Sequence, residues 1–299
     1  MRAVAQALVM ARWRFVDFVA LTKPRIAVLV LFTVAAGACL AHRGQASLAV
    51  VLHAVLGTGL VAAAASVLNQ YLERHSDALM FRTENRPLPA GRLSAAEALA
   101  FGLLLAGTGL LYLALTVPPL TTLLAAFTLV SYVALYTPLK RFTTLNTLVG
   151  AVPGAMPPVI GWSAVTGTVD FEASILFLVV FLWQVPHFLA IAWIYREDYA
   201  RGGHRMLPVV DAEGSLTGRQ MVVYCLALVP VSLLPLLSGR VGVMYAIAAC
   251  VLGFAFTAET LGFVRDRSNR AARRVLHASL IYLPALLALW LLEARFSGQ

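Results

Sequence analysis

The chain has 299 residues, 60% of them hydrophobic and only 12% charged. Soluble domains carry about 25% charged residues, so the composition excludes an ordinary soluble protein and points to a membrane protein. The net charge of +9 invites a nucleic-acid reading, which the placement of the charges then rejects.

A helix needs roughly 20 apolar residues to cross the hydrocarbon core. Spanning backbone must also satisfy its own hydrogen bonds, which favours helices. Nine stretches qualify, at about 26–42, 48–72, 96–116, 119–137, 147–165, 173–195, 218–238, 241–262 and 275–293. The expected fold is all-α: a polytopic membrane protein, a bundle of about nine transmembrane helices. The expected organisation is a single domain over residues 1–299, with a short N-terminal segment and no removable leader. Cys39, Cys225 and Cys250 fall inside spans and lack metal or redox spacing, so they read as packing residues.

With a cytoplasmic N-terminus, Lys and Arg fall five before span one, four at 74–92, two at 140–141, four at 196–219 and five at 265–274. The other face holds Arg43, Arg240 and Arg295. Basic residues concentrate on cytoplasmic loops, so this is a topology signal and no nucleic-acid partner is expected. The inner loops also hold the informative polar residues, which places the functional site at the cytoplasmic mouth.

In chain order, LTKPRI comes first, with Lys23 and Arg25 either membrane anchors or anion contacts. NQYLERHSDALMFRTENRPLPAG then closes span two. Asn69, Glu73 and Asp77 stand at i, i+4 and i+8, about 6 Å apart along one helix face. A helix C-terminus disfavours carboxylates, so a positive partner is expected there. One reading pairs them with Arg74 and Arg82 as a solvated helix end. The other makes Glu73 and Asp77 ligands of Mg²⁺, which takes one or two carboxylates plus substrate phosphate oxygens. Arg82 and Arg86 then grip the phosphate. YTPLKRFTTLN adds Lys140 and Arg141, again anchors or diphosphate contacts.

Span six carries FLWQVPHF, with His187 beside Pro186 inside the membrane. Intramembrane ionisable groups are functional by default. Trp183, His187, Ile191, Tyr195 and Asp198 form one stripe, with His187 about 16 Å below Asp198 along the axis. The imidazole either bonds a neighbouring helix or contacts a buried cofactor. YREDYARGGHRMLPVV follows, with Asp198 at the inner end of its helix as Asp77 is. Met80 with Leu88-Pro89 and Met206 with Leu207-Pro208 form a weak internal echo. His42, His53, His75, His204 and His277 read as mostly interfacial. The glycines Gly150, Gly154 and Gly161 are expected to keep span five slim or broken. P-loop, dinucleotide-binding and nucleophile-elbow motifs are all missing.

These stretches, in this order, resemble the intramembrane aromatic prenyltransferase superfamily, and within it the branch that farnesylates protohaem IX. The resemblance covers most of the chain. It implies transfer of a farnesyl group from farnesyl diphosphate to a haem vinyl group with addition of water, for terminal oxidase assembly. Protohaem IX and farnesyl diphosphate are then the substrates, and Mg²⁺ is the cofactor. Asn69, Glu73, Asp77, Arg82, Arg86, Lys140, Arg141 and Asp198 match the catalytic motifs, with Glu73, Asp77 and Asp198 on the metal. His187 matches a haem contact, and Trp183, Arg196, Tyr199 and Arg201 are its companions or flank the second acidic motif. His75 stands where many relatives have a further acid, and the second motif keeps only Glu197 and Asp198. The implied location is a bacterial inner membrane with a cytoplasmic active site. A haem A synthase or an oxidase assembly protein is the implied recipient of the product. The competing expectations are a quinone-type acceptor and a haem-binding or transport protein without catalysis.

Overall fold

A computed structural model describes residues 14–41 and 46–296. Arg2, Arg12, His42 and Arg43 lie outside them. Among the described residues, nine helices are long and apolar enough to cross a membrane. They are α1 (Pro24–Ala41), α2 (Leu48–Asp77), α3 (Ala95–Thr116), α4 (Pro119–Leu139), α5 (Asn146–Thr166), α6 (Phe171–Ile194), α7 (Ser215–Ser238), α8 (Val243–Asp266) and α9 (Asn269–Phe296). The chain is thus a multi-pass integral membrane protein. A short helix at 14–21 precedes α1, and six residues, Arg196–Arg201, form another after α6.

Local chemistry marks several ends. Ser94 and Glu97 form a reciprocal capping box at α3. Asp170 accepts from the amides of Glu172 and Ala173, both at 3.1 Å, and so caps α6. α2 runs five residues past the apolar stretch, which keeps Glu73 and Asp77 helical. α9 starts before its apolar stretch because Ala271, Ala272 and Val275 face the core while Arg270, Arg273 and Arg274 face out.

α5 and α6 are the central helices. Their apolar windows are 72% and 61% buried, against 28–39% for the other seven. α1 packs on α5, α2 on α3, and α6 meets α5, α7 and α9. α5 stays helical through Pro153, Pro157 and Pro158, so its glycines make it slim, not broken. A Cβ on Gly161 would lie 1.9 Å from the Val34 carbonyl oxygen, and one on Gly37 2.0 Å from that of Pro158. α1 and α5 therefore touch backbone to backbone. Such close approach drives helix association where lipid removes the hydrophobic gain.

In α4, Ser131–Tyr136 widens into a π-turn. Such turns often occur at functional sites. Thr137 closes this one, its hydroxyl donating to the Tyr132 carbonyl at 2.9 Å. Tyr132 and Tyr136 both then face the cavity described below.

Gly161→Ala should force α1 and α5 apart at a cost of about 2 kcal/mol. Gly107→Ala, in open space on α3, should leave stability unchanged or slightly raised. Thermal unfolding in detergent reads both, and equal melting temperatures would contradict the close contact.

Candidate active site at the polar end of the bundle

A cavity of about 420 Å³ opens among α1, α2, α4, α5 and α6. Its walls have two chemistries. Asn69, Glu73, Asp77, Arg82, Arg86, Lys140, Tyr199 and His204 line one end. Small and apolar groups, among them Val30, Ala65, Gly154, Val180 and Leu283, line the rest.

The charged end is cross-paired. Glu73 is 7% exposed and accepts from Lys140 Nζ at 2.8 Å. Lys140 also lies 4.6 Å over the Tyr136 ring. Asp77 is 1% exposed, and its Oδ2 accepts from Arg86 at 2.7 Å. Its other oxygen, Oδ1, is buried with no hydrogen-bond partner among the described residues. An uncompensated buried carboxylate oxygen is costly, and this one belongs to a residue of the cavity wall. Asn69 donates to the Thr137 hydroxyl at 3.1 Å, which joins α2 to the π-turn of α4.

Arg82 is held over two aromatic faces, 4.8 Å from the Tyr195 ring and 5.3 Å from that of Tyr199. It also donates to the Tyr199 hydroxyl at 3.3 Å. Stacking of this kind suits the planar guanidinium. Asp198 is 9% exposed and turns to the backbone of Phe81 and Arg82, apart from the cavity wall. Arg201 lies on the Phe81 ring at 3.8 Å. Arg196 bonds the Trp193 carbonyl and Asn269, away from the cavity. Arg141 is exposed and also outside the lining. Among the described residues, no three metal-ligating side chains gather in one cluster.

Deeper along α6, His187 and Trp183 line the wall and stack at 5.0 Å. Trp183 Nε1 donates to the Ser279 carbonyl at 2.7 Å. The Ser279 hydroxyl donates to the Leu276 carbonyl at 2.6 Å. Its oxygen therefore accepts from His187 Nδ1, 2.8 Å away. This network assigns the proton to Nδ1 and leaves the Nε2 lone pair free.

Several lining residues had no strong sequence signal. Tyr132 and Tyr136 look like ordinary span residues until the π-turn aims both inward. Gln184 anchors to the Ala151 carbonyl at 2.7 Å, in space that Gly154 leaves open. His204 departs from the interfacial expectation: it is 2% exposed, lines the cavity and has an Nδ1 without a partner among the described residues. Burial pushes its pKa below the ordinary imidazole range. His75 and His277 are exposed, and His53 bonds the Tyr112 hydroxyl at 2.8 Å.

Lys23 enters the wall from the junction before α1, in the left-handed region at φ 51°. Burial, then the charges of Arg86 and Lys140, pull its pKa down to about 7. A base so shifted is cationic below that pH and neutral above it. Inorganic diphosphate binding should weaken by up to about tenfold per pH unit from roughly pH 7 upward. Lys23→Arg should flatten this dependence. Calorimetric titration across that range checks it, and an identical slope in the variant would count against Lys23.

The sequence matches the model of the UbiA prenyltransferase family over residues 30–291. A protoheme IX farnesyltransferase of Solibacter usitatus is 46% identical over 286 residues, spanning 93% of this chain and 98% of the relative. One from Myxococcus xanthus is 46% identical over 275 residues, spanning 91% and 92%. Among solved structures, a digeranylgeranylglyceryl phosphate synthase superposes with a TM-score of 0.79 at 17% identity, over 94% of this chain and 99% of that one. A UbiA homolog from Archaeoglobus fulgidus bound to GPP and Mg²⁺ gives 0.65 at 16% identity, over 91% and 99%. At these identities the structures speak for the fold.

Proposed function

The chain belongs to the UbiA prenyltransferase family, and from that premise we propose that it farnesylates protohaem IX to give haem O. The observation that carries this reading is a single cavity with an anion-gripping mouth and a histidine lone pair in its depth. The names of the relatives support the same substrates.

Farnesyl diphosphate lies with its apolar chain along the cavity and its diphosphate among Arg82, Arg86, Lys140 and Lys23. Arg82, Arg86 and Lys140 are preorganised by Tyr195, Tyr199, Tyr136 and the two carboxylates, so they stabilise charge that grows on the leaving oxygen without reorganising. A divalent cation fits Asp77, whose Oδ1 is buried without a partner. Asp77 and Glu73 would hold it, with diphosphate oxygens and water completing its shell. When bound, Mg²⁺ neutralises the diphosphate and makes it a better leaving group. The allylic C1–O bond breaks and diphosphate leaves. The haem vinyl carbon bonds to C1, and water adds at the resulting cation with loss of one proton. The apolar walls keep bulk water from the allylic cation before capture. His187 Nε2 ligates the haem iron, with Ser279 fixing the ring, and so orients the vinyl group.

The Lys and Arg gathered at the mouth end support a cytoplasmic site in a bacterial inner membrane. A haem A synthase or terminal oxidase assembly is the recipient that the sequence resemblance implies.

Purified protein given ferrous protohaem, farnesyl diphosphate and Mg²⁺ should yield haem heavier by one farnesyl and one hydroxyl group, seen by mass spectrometry. Asp77→Asn should cut the rate at least about a hundredfold. Protohaem bound by protein that never yields this product would sink the reading. His187→Ala should shift the Soret band of bound protohaem and weaken its binding about tenfold or more. An unmoved spectrum would remove His187 from the iron.

A further inference from the structure

We infer that Asp198 is a positioning residue: it fastens the α2–α3 turn that aims Arg82 and Arg86 at the cavity, and the metal is held without it. This rests on the reading of the cavity mouth as a diphosphate site.

The turn follows Asp77. Its backbone hydrogen bonds serve the amides of Leu79, Met80, Thr83, Glu84 and Arg86. The amides of Phe81 and Arg82 go instead to Asp198, at 3.1 Å to Oδ1 and 3.4 Å to Oδ2. One carboxylate thus takes two consecutive donors, one on each oxygen. Arg201 adds a charge contact to Oδ1 at 3.5 Å. Ion-assisted bonds to backbone amides are stronger than neutral ones, and this carboxylate sits where few waters compete.

The side chains repeat the attachment. Arg201 covers the ring of Phe81 at 3.8 Å, and Tyr195 and Tyr199 flank Arg82. The two residues whose amides Asp198 holds are the two whose side chains its neighbours hold. Met80, the preceding residue, packs against Gly202, where a Cβ would lie 3.0 Å from its sulfur. The stretch from Tyr195 to Gly202 therefore clasps the turn as a unit. Asp77 contrasts with this. It stands in the cavity wall with an oxygen that no group among the described residues satisfies, whereas both oxygens of Asp198 are engaged.

The two roles respond differently to substitution. Asparagine keeps an acceptor for the turn but loses the charge that a divalent cation demands. Alanine loses both.

The test uses the full chain in detergent, with Mn²⁺ bound alongside farnesyl thiolodiphosphate and read by electron paramagnetic resonance. Amide hydrogen exchange of residues 78–86 and steady-state kinetics accompany it. Asp198→Asn should bind Mn²⁺ within about threefold of the parent, whereas Asp77→Asn should lose about tenfold or more. Asp198→Ala should speed exchange at Phe81 and Arg82. It should raise KM for farnesyl diphosphate about tenfold, and that for protohaem by less than about threefold. Asp198→Asn, which keeps one of the two acceptors, should restore part of both. Should the alanine variant fail to fold, Asp198→Ser is read the same way. A tenfold loss of Mn²⁺ affinity in Asp198→Asn with normal exchange overturns the proposal, as does unchanged exchange without the carboxylate. Mn²⁺ binding indifferent to Asp77→Asn would instead defeat the metal reading of the cavity, and the exchange data would still decide Asp198.

Discussion

A charge inside a membrane protein must find an opposite charge or a ligand, and that constraint organises this molecule. Glu73 and Asp77 sit one turn apart on α2, nearly removed from water. Neither is compensated by its own helix, whose C-terminal pole is negative. Each recruits a base from elsewhere: Lys140 from the end of α4, and Arg86 from the turn after α2. Breaking a buried pair costs more than never having made it, so these contacts tie the loops to one arrangement. The leftover oxygen of Asp77 is where this pairing stays incomplete.

The other loops join through the segment after α6. It grips the α2–α3 turn through Asp198, Tyr199 and Arg201. It grips the α4–α5 loop where the Arg205 amide donates to the Lys140 carbonyl and Asn146 donates to the Arg205 carbonyl at 3.0 Å. Three irregular loops thus behave as one polar cap on a helical body.

Below the cap, the cavity exists because helices are thin where it needs width. Gly150 and Gly154 leave room for Tyr136 and Gln184, and the π-turn in α4 turns two tyrosines inward. Its two ends are linked by α6, which carries His187 in the depth and leads directly into the clasp. A shift of that helix would move the histidine and the arginine-bearing turn together.

Much of this was legible from residue order alone. The nine spanning helices among the described residues follow from nine apolar runs, because a bilayer leaves the backbone little other way to satisfy itself. The face shared by Asn69, Glu73 and Asp77 follows from helical spacing, and the gathering of bases at one end from charge counts. What needed the tertiary structure was partnership. Spacing along one helix says nothing about which base, nine or sixty-seven residues on, will neutralise a carboxylate. It could not tell that Asp198, so like Asp77 in sequence, spends its oxygens on backbone amides, or that Arg141 and Arg196 point elsewhere. Nor could it tell that His204 and Tyr132 would face the cavity, since a side chain's direction there depends on a loop closure and a π-turn. Helices are set by local hydrogen bonds and hydropathy, which a sequence carries openly. A site is set by which loops meet, and that is decided only when distant charges are buried together.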